Sequence, residues 1–156
     1  MIREATLTDA AAVASIFNQY LARATMVMQP RNAVDYLPLI GGERATIFVA
    51  EVAGKVVGFA GVKPYSDRGG YVLAGEVSVF LDAKATGQGF GQALYEQVIP
   101  AADALGYRHL TAKIWADNAA SIRLHEQQGF RMVGRQEGIG WINGKRVDTV
   151  LMERSW

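Results

Sequence analysis

The chain of 156 residues contains no cysteine and only two histidines, His109 and His125. The first absence removes a disulfide framework, a thiol nucleophile and any thiolate metal site. The second leaves almost no basis for a histidine-based centre, so no metal is expected. No hydrophobic run is long enough to span a bilayer, and the opening MIREATLTDA lacks the basic-then-apolar layout of a secretory leader. Lys+Arg number 16 against 15 Asp+Glu, a formal net charge of +1, and no basic cluster stands out. Nucleic acid and membrane are therefore not expected as partners, and a cytoplasmic location is. Repeats, low-complexity tracts and linkers are missing too, so residues 1–156 read as a single domain. What is plentiful is apolar: 50% of the residues are hydrophobic, enough for a sizeable core without cross-links.

Periodicity orders the elements. A short strand (Ile2 to Ala5) precedes a helix in TLTDAAAVASIFNQYLARA, where Val13, Ile16, Phe17, Tyr20 and Leu21 recur at helical spacing behind a Thr8/Asp9 cap signal. A short second helix is expected over Ala33 to Ile40, across Pro38. Two β-rich runs flank Ala53-Gly54 as a hairpin, and a third, VLAGEVSVFL, follows a loop. Then comes a long helix with Leu94, Val98, Ala102 and Leu105 on one face and Gly106 at its end; Pro100 must kink it or face solvent. A strand (His109 to Trp115), a helix between Asn118 and Gly129, and a hairpin at Asn143-Gly144 complete the chain. The order β-α-α-β-β-β-α-β-α-β-β predicts an α+β domain with a mixed, mostly antiparallel sheet flanked by helices.

Three stretches carry chemistry. KATGQGFGQAL places Gly87, Gly89 and Gly91 just before a helix, where unpaired N–H groups and the helix dipole favour an anion. It has neither the GK[ST] ending of a Walker loop nor the spacing of a dinucleotide fingerprint, and a plain glycine-rich turn is the alternative. GEVSVFL puts Glu76, Ser78 and Phe80 on one face of a strand and Val77, Val79 and Leu81 on the other. Glu76 is either an ion-paired surface group or a carboxylate whose partial burial suits it to act as a base. In ADNAASIRLHEQQGF, Asn118, Ser121 and His125 fall at i, i+3 and i+7 and form one polar stripe, although Asn118 also suits a helix N-cap.

GEVSVFL, TGQGFGQAL and DNAASIRLHEQQGF, in this order and spacing, resemble the core of the GNAT superfamily of acetyl-CoA-dependent N-acetyltransferases. More narrowly they resemble its phosphinothricin acetyltransferase branch. Similarity also covers IRxAxxxD (Ile2 to Asp9), R-x-x-Y (Arg68 to Tyr71) and G-x-x-x-D (Gly144 to Asp148). The resemblance implies acetyl-CoA as co-substrate, with its pyrophosphate on the amides of Gly87, Gln88, Gly89, Phe90, Gly91 and Gln92. It further implies a pantetheine arm paired with the backbone of Val79, Phe80 and Leu81, and a far wall formed by Asn118, Ser121 and His125. Glu76 is implied as general base, His125 as leaving-group acid or cofactor contact, and Arg68 and Tyr71 as neighbours of a small-molecule amine acceptor. The sequence departs from the pattern at Thr86, where the branch usually has Arg or Gln, and at Gln88, Met28 and Arg146. The branch is often dimeric, which leaves monomer and homodimer both open here, and Trp141 suits either a dimer interface or the core. The acceptor implied is amino-acid-like, of the phosphinothricin, methionine sulfone or sulfoximine type. A polyamine, an antibiotic, a protein N-terminus, or an acyl-CoA sensor without turnover are the competing readings.

Overall fold

A computed structural model describes all 156 residues. Seven strands, β1 (Ile2–Glu4), β2 (Thr46–Val52), β3 (Lys55–Pro64), β4 (Ala74–Leu81), β5 (His109–Trp115), β6 (Arg131–Ile142) and β7 (Lys145–Ser155), form one sheet in the order β1-β2-β3-β4-β5-β7-β6. Every neighbouring pair is antiparallel except β4 and β5. This is the mixed, mostly antiparallel α+β arrangement expected from the element order. Ala53-Gly54 (φ 50° and 79°) and Asn143-Gly144 (φ 51° and 77°) both turn left-handed at two successive residues. That twist matches the strands they join, which is why both hairpins close tightly.

Four α-helices flank the sheet: α1 (Ala10–Asn18), α2 (Ala33–Tyr36), α3 (Phe90–Ala104) and α4 (Ala119–Gln127). α1 is shorter than its apolar pattern, because Tyr20 and Leu21 lie beyond its end. Asp9 does precede it, but the carboxylate reaches back to the Thr6 N–H (2.8 Å) and is gripped by Arg3 (2.7 and 3.0 Å). The guanidinium holds the Asp9 carboxyl down at about 2. α2 becomes a 3-10 turn over Leu37–Leu39 at Pro38, whose ring cannot continue the α-helical bonding. In α3, Leu94, Val98 and Ala102 are fully buried, Pro100 faces solvent, and Gly106 at φ 94° ends the helix. No helix is long and apolar enough to cross a membrane.

The alternation of β4 sorts its side chains between two cores. Val77 joins Val62, Leu94, Val98, Leu110 and Met152 on the α3 side of the sheet. Phe80 packs with Phe17, Tyr36 and Phe59 on the α1/α2 side. β4 follows β3 along its whole length, from Gly58↔Leu81 to Pro64↔Gly75. It follows β5 only over Ala74, Glu76 and the residue between them, whereas β5 stays on β7 from His109 to Trp115. Two half-sheets therefore share a three-residue seam and part beyond Glu76. Trp141, 67% exposed on β6, does not belong to the core.

Candidate active site

The parting of β4 and β5 opens a wedge through the sheet. A cavity of about 430 Å³ on the α3/α4 side and one of about 620 Å³ on the α1/α2 side meet at Ala24, Val77, Ser78, Phe80 and Lys113. From Val77 to Leu81 the β5-facing edge of β4 has no strand partner, so its polar backbone groups face the wedge. The far end of β4 is tied down: the Tyr20 hydroxyl donates to the Leu81 carbonyl, and Gln19 bonds Asp82 (3.1 Å) and the Ala83 N–H (3.0 Å). Of the three residues implied for backbone pairing with a substrate arm, Val79 turns its backbone groups to the open edge, Phe80 is paired with Phe59 on β3, and the Leu81 carbonyl already accepts from Tyr20.

The three glycines of the loop meet different demands. Gly87 (φ 73°) and Gly89 (φ 85°) hold left-handed backbone with open space where a Cβ would go, so conformation alone selects them. At Gly91 a Cβ would lie 2.9 Å from a Leu124 methyl, so a side chain there would have to push that methyl aside. The first backbone bond of α3 runs from the Ala93 N–H to the Gly89 carbonyl (3.1 Å), leaving the amides of Phe90, Gly91 and Gln92 ahead of it. Thr86, Gly87, Gly89, Gly91 and Gln92 line the smaller cavity; the Gln88 side chain turns away to the Lys84 carbonyl (3.3 Å), and Phe90 packs on the core. The arrangement can hold an anion on backbone amides.

The polar stripe of α4 faces the same cavity. Asn118 caps the helix by accepting from the Ser121 N–H (3.2 Å), as its position suggested. His125 is only 2% exposed. Its Nδ1 lies 2.7 Å from the Ser121 carbonyl, which can only accept, so Nδ1 carries the proton. Nε2 then accepts from the fully buried Tyr95 hydroxyl at 2.7 Å. Burial pushes the imidazole below its usual 6.5 and the Tyr95 phenol upward. A neutral ring with both nitrogens engaged has no proton to hand outward, which favours cofactor contact over acid among the two roles implied for His125. The sign of its pH effect follows. Below about pH 6.5 the unfolded chain takes up a proton that the folded chain refuses, so stability present above that pH is lost as pH falls toward the depressed folded value. Thermal melting from pH 8 to 5 is expected to show Tm falling in the acid half, and His125→Gln is expected to flatten that fall. Parallel curves for the two proteins would contradict this.

Glu76 sits on the α1/α2 face of the sheet in a row made by strand register. Lys63 is its direct partner on β3, and Lys113 lies two residues beyond its β5 partner Thr111. The carboxylate oxygens are 3.8 Å from Lys63 Nζ and 3.4 Å from Lys113 Nζ. Of the two settings the sequence leaves open, the carboxylate has the ion-paired one, partly buried (24% exposed) in the wall of the larger cavity beside Ser78.

Arg68 and Tyr71 are not brought into that cavity. Arg68 is exposed at the start of a 3-10 turn, and Tyr71 stacks behind Tyr65 (5.2 Å between ring centres), which does line the wall. Lys63, Lys113, Tyr65 and Arg31 line it as well, and no motif in the sequence singles them out one by one. Polar residues alternating with buried ones at Lys63 and Lys113 were the available signal, but only strand register shows that they flank Glu76.

Residues 13–130 match the model of the acetyltransferase (GNAT) family. A phosphinothricin N-acetyltransferase of Streptomyces viridochromogenes is 31% identical over 160 residues, spanning 99% of this chain and 87% of that protein. The crystal structure of a ribosomal-protein-alanine N-acetyltransferase from Brucella melitensis superposes with a TM-score of 0.93 at 30% identity, over 100% of this chain and 99% of that one. A phosphinothricin acetyltransferase from Sinorhizobium meliloti, solved in complex with acetyl-CoA, gives a TM-score of 0.91 at 28% identity, over 99% and 87%. With the split sheet, the glycine loop ahead of α3 and this match over most of its length, the chain belongs to the acetyltransferase (GNAT) family.

Proposed function

We propose that this protein moves the acetyl group of acetyl-CoA to the primary amine of a small, amino-acid-like acceptor bearing an acidic group, of the phosphinothricin or methionine sulfone type. As a GNAT enzyme it is an acetyl-CoA-dependent acetyltransferase. The observation carrying the rest is the pair of cavities that meet across the open seam at Ser78, because a two-substrate transfer needs two entrances and one meeting point. In this reading the amides at the start of α3 hold the pyrophosphate, and the free edge of β4 takes the pantetheine arm as an added strand. Asn118 and Ser121 line the opposite wall.

The acceptor enters from the α1/α2 side. Its amine is mostly protonated at neutral pH, and Glu76 accepts that proton directly or through water. Attack on the thioester gives a tetrahedral oxyanion, for which the N–H of Val79 is the nearest candidate donor on the open edge. A thiol pKa near about 8.5 lets the sulfur leave as thiolate, or take a proton from the ammonium just formed, without help from the sealed His125. Three cations, Arg31, Lys63 and Lys113, line the acceptor cavity, and its two carboxylates Glu76 and Glu153 are both ion-paired. That balance favours an acidic acceptor over a polyamine. A peptide N-terminus is the competing acceptor, favoured by the likeness to the Brucella protein. Incubation of the protein and acetyl-CoA with an equimolar mixture of L-methionine sulfone, spermidine and an alanine-led peptide, read by mass spectrometry, separates them. The acetylated sulfone is expected to dominate, and dominance of either other product would overturn the acceptor class.

A further inference from the structure

We infer that Arg31 is the residue that anchors the acidic group of the acceptor; the inference rests on the acetyltransfer reading above. Arg31 lies in the loop between α1 and α2 and lines the acceptor cavity. Its peptide is held at two points by one side chain: its N–H donates to Asn18 Oδ1 and its carbonyl accepts from Asn18 Nδ2, both at 2.8 Å. The guanidinium lies 4.1 Å from the centre of the Phe17 ring and 5.7 Å from that of Tyr36, and Nη1 donates to the Tyr36 hydroxyl at 3.2 Å. A planar cation resting on an aromatic face keeps its edge donors directed outward, in the fork geometry that suits a carboxylate or phosphinate.

No carboxylate of the protein takes up that fork. Arg31 forms no ion pair, while Glu76 is shared by Lys63 and Lys113 and Glu153 by His109 and Arg131. Arg31 is thus the surplus charge of the cavity, fixed in place without a counter-ion. It shares one cavity with the chemistry. Phe17, on which it rests, packs 5.1 Å from Phe80, and Phe80 follows Ser78 on the same face of β4 by two residues, about 7 Å. Arg31, Phe17, Phe80 and Ser78 thus follow one another along the wall of one cavity, and an acceptor within it can turn its acid toward Arg31 and its amine toward Ser78 and Glu76. The exposed Arg68 makes no comparable approach.

The test compares L-methionine sulfone with its carboxamide, which keeps the amine and shape but loses the charge, by thiol release from acetyl-CoA. Wild type is expected to favour the acid by about 30- to 100-fold in kcat/KM, the range of a charge-assisted pair. Arg31→Met, which keeps a stem over Phe17, is expected to bring the ratio to within about threefold with the KM for acetyl-CoA unchanged. Arg31→Lys is expected to keep an intermediate ratio, because an ammonium lacks the fork. Equal use of acid and carboxamide by wild type, or an undiminished preference in Arg31→Met, would overturn the inference while leaving acetyl transfer standing. If Arg31→Met does not fold, the wild-type ratio together with that of Arg31→Lys decides. Absence of thiol release with either form would overturn the acetyltransfer reading itself.

Discussion

Glu76→Gln is expected to lower acetyl transfer by about 10²- to 10³-fold while leaving the affinity for acetyl-CoA within about twofold of wild type. The amide keeps the size and one acceptor oxygen of the carboxylate, so the wall of the cavity keeps its shape. What is lost is the ability to take a proton from the attacking ammonium. The fold should tolerate the change, since Lys63 and Lys113 are each about half exposed and water can solvate them. Steady-state rates and calorimetric titration with acetyl-CoA separate the two quantities. Equal losses in turnover and affinity would remove Glu76 from the role of base and leave it as part of a cationic rim.

Gly89→Val is expected to act in the opposite direction, on binding first. A β-branched residue at φ 85° is strained even though open space surrounds the position, so the loop must shift to relieve it. Any shift rotates the amides of Phe90, Gly91 and Gln92 away from their common focus. Loss of one or two charge-assisted bonds predicts acetyl-CoA binding weaker by about 30- to 100-fold, with the rate at saturation changed far less. Calorimetry gives the affinity directly, and an unchanged value would contradict the pyrophosphate cradle. Gly91 offers a control of different character, because a side chain there would press on the Leu124 methyl without straining the backbone.

The sequence made the element order legible because each element announced itself locally. Alternation revealed β4, Asn143-Gly144 revealed the last hairpin, and Asn118 and Gly129 bracketed α4. The glycine loop and the Asn118/Ser121/His125 stripe were equally local, since a helix start and an i, i+3, i+7 spacing are fixed by the backbone alone. What escaped was set by strand register and by side-chain direction. Lys63 and Lys113 flank Glu76 only because β3 and β5 pair with β4 where they do. The sequence left His125 as acid or cofactor contact, because its Nε2 partner, Tyr95, is 30 residues away on another helix. Arg31 had no spacing to betray it; its place comes from the grip of Asn18 across the loop. Arg68 had a motif and was still left outside the cavity, because the turn that carries it points it to solvent.

The central claim is that the two cavities meet so that an amine can reach a thioester across the open seam. The most direct measurement is the rate of thiol release from acetyl-CoA by the purified protein, with and without L-methionine sulfone or phosphinothricin. Release that depends on the amine, saturates with it and disappears in Glu76→Gln is the predicted result. Binding of acetyl-CoA with no amine-dependent release, across these acceptors and the peptide alike, would contradict it and leave a protein that holds the thioester without passing it on.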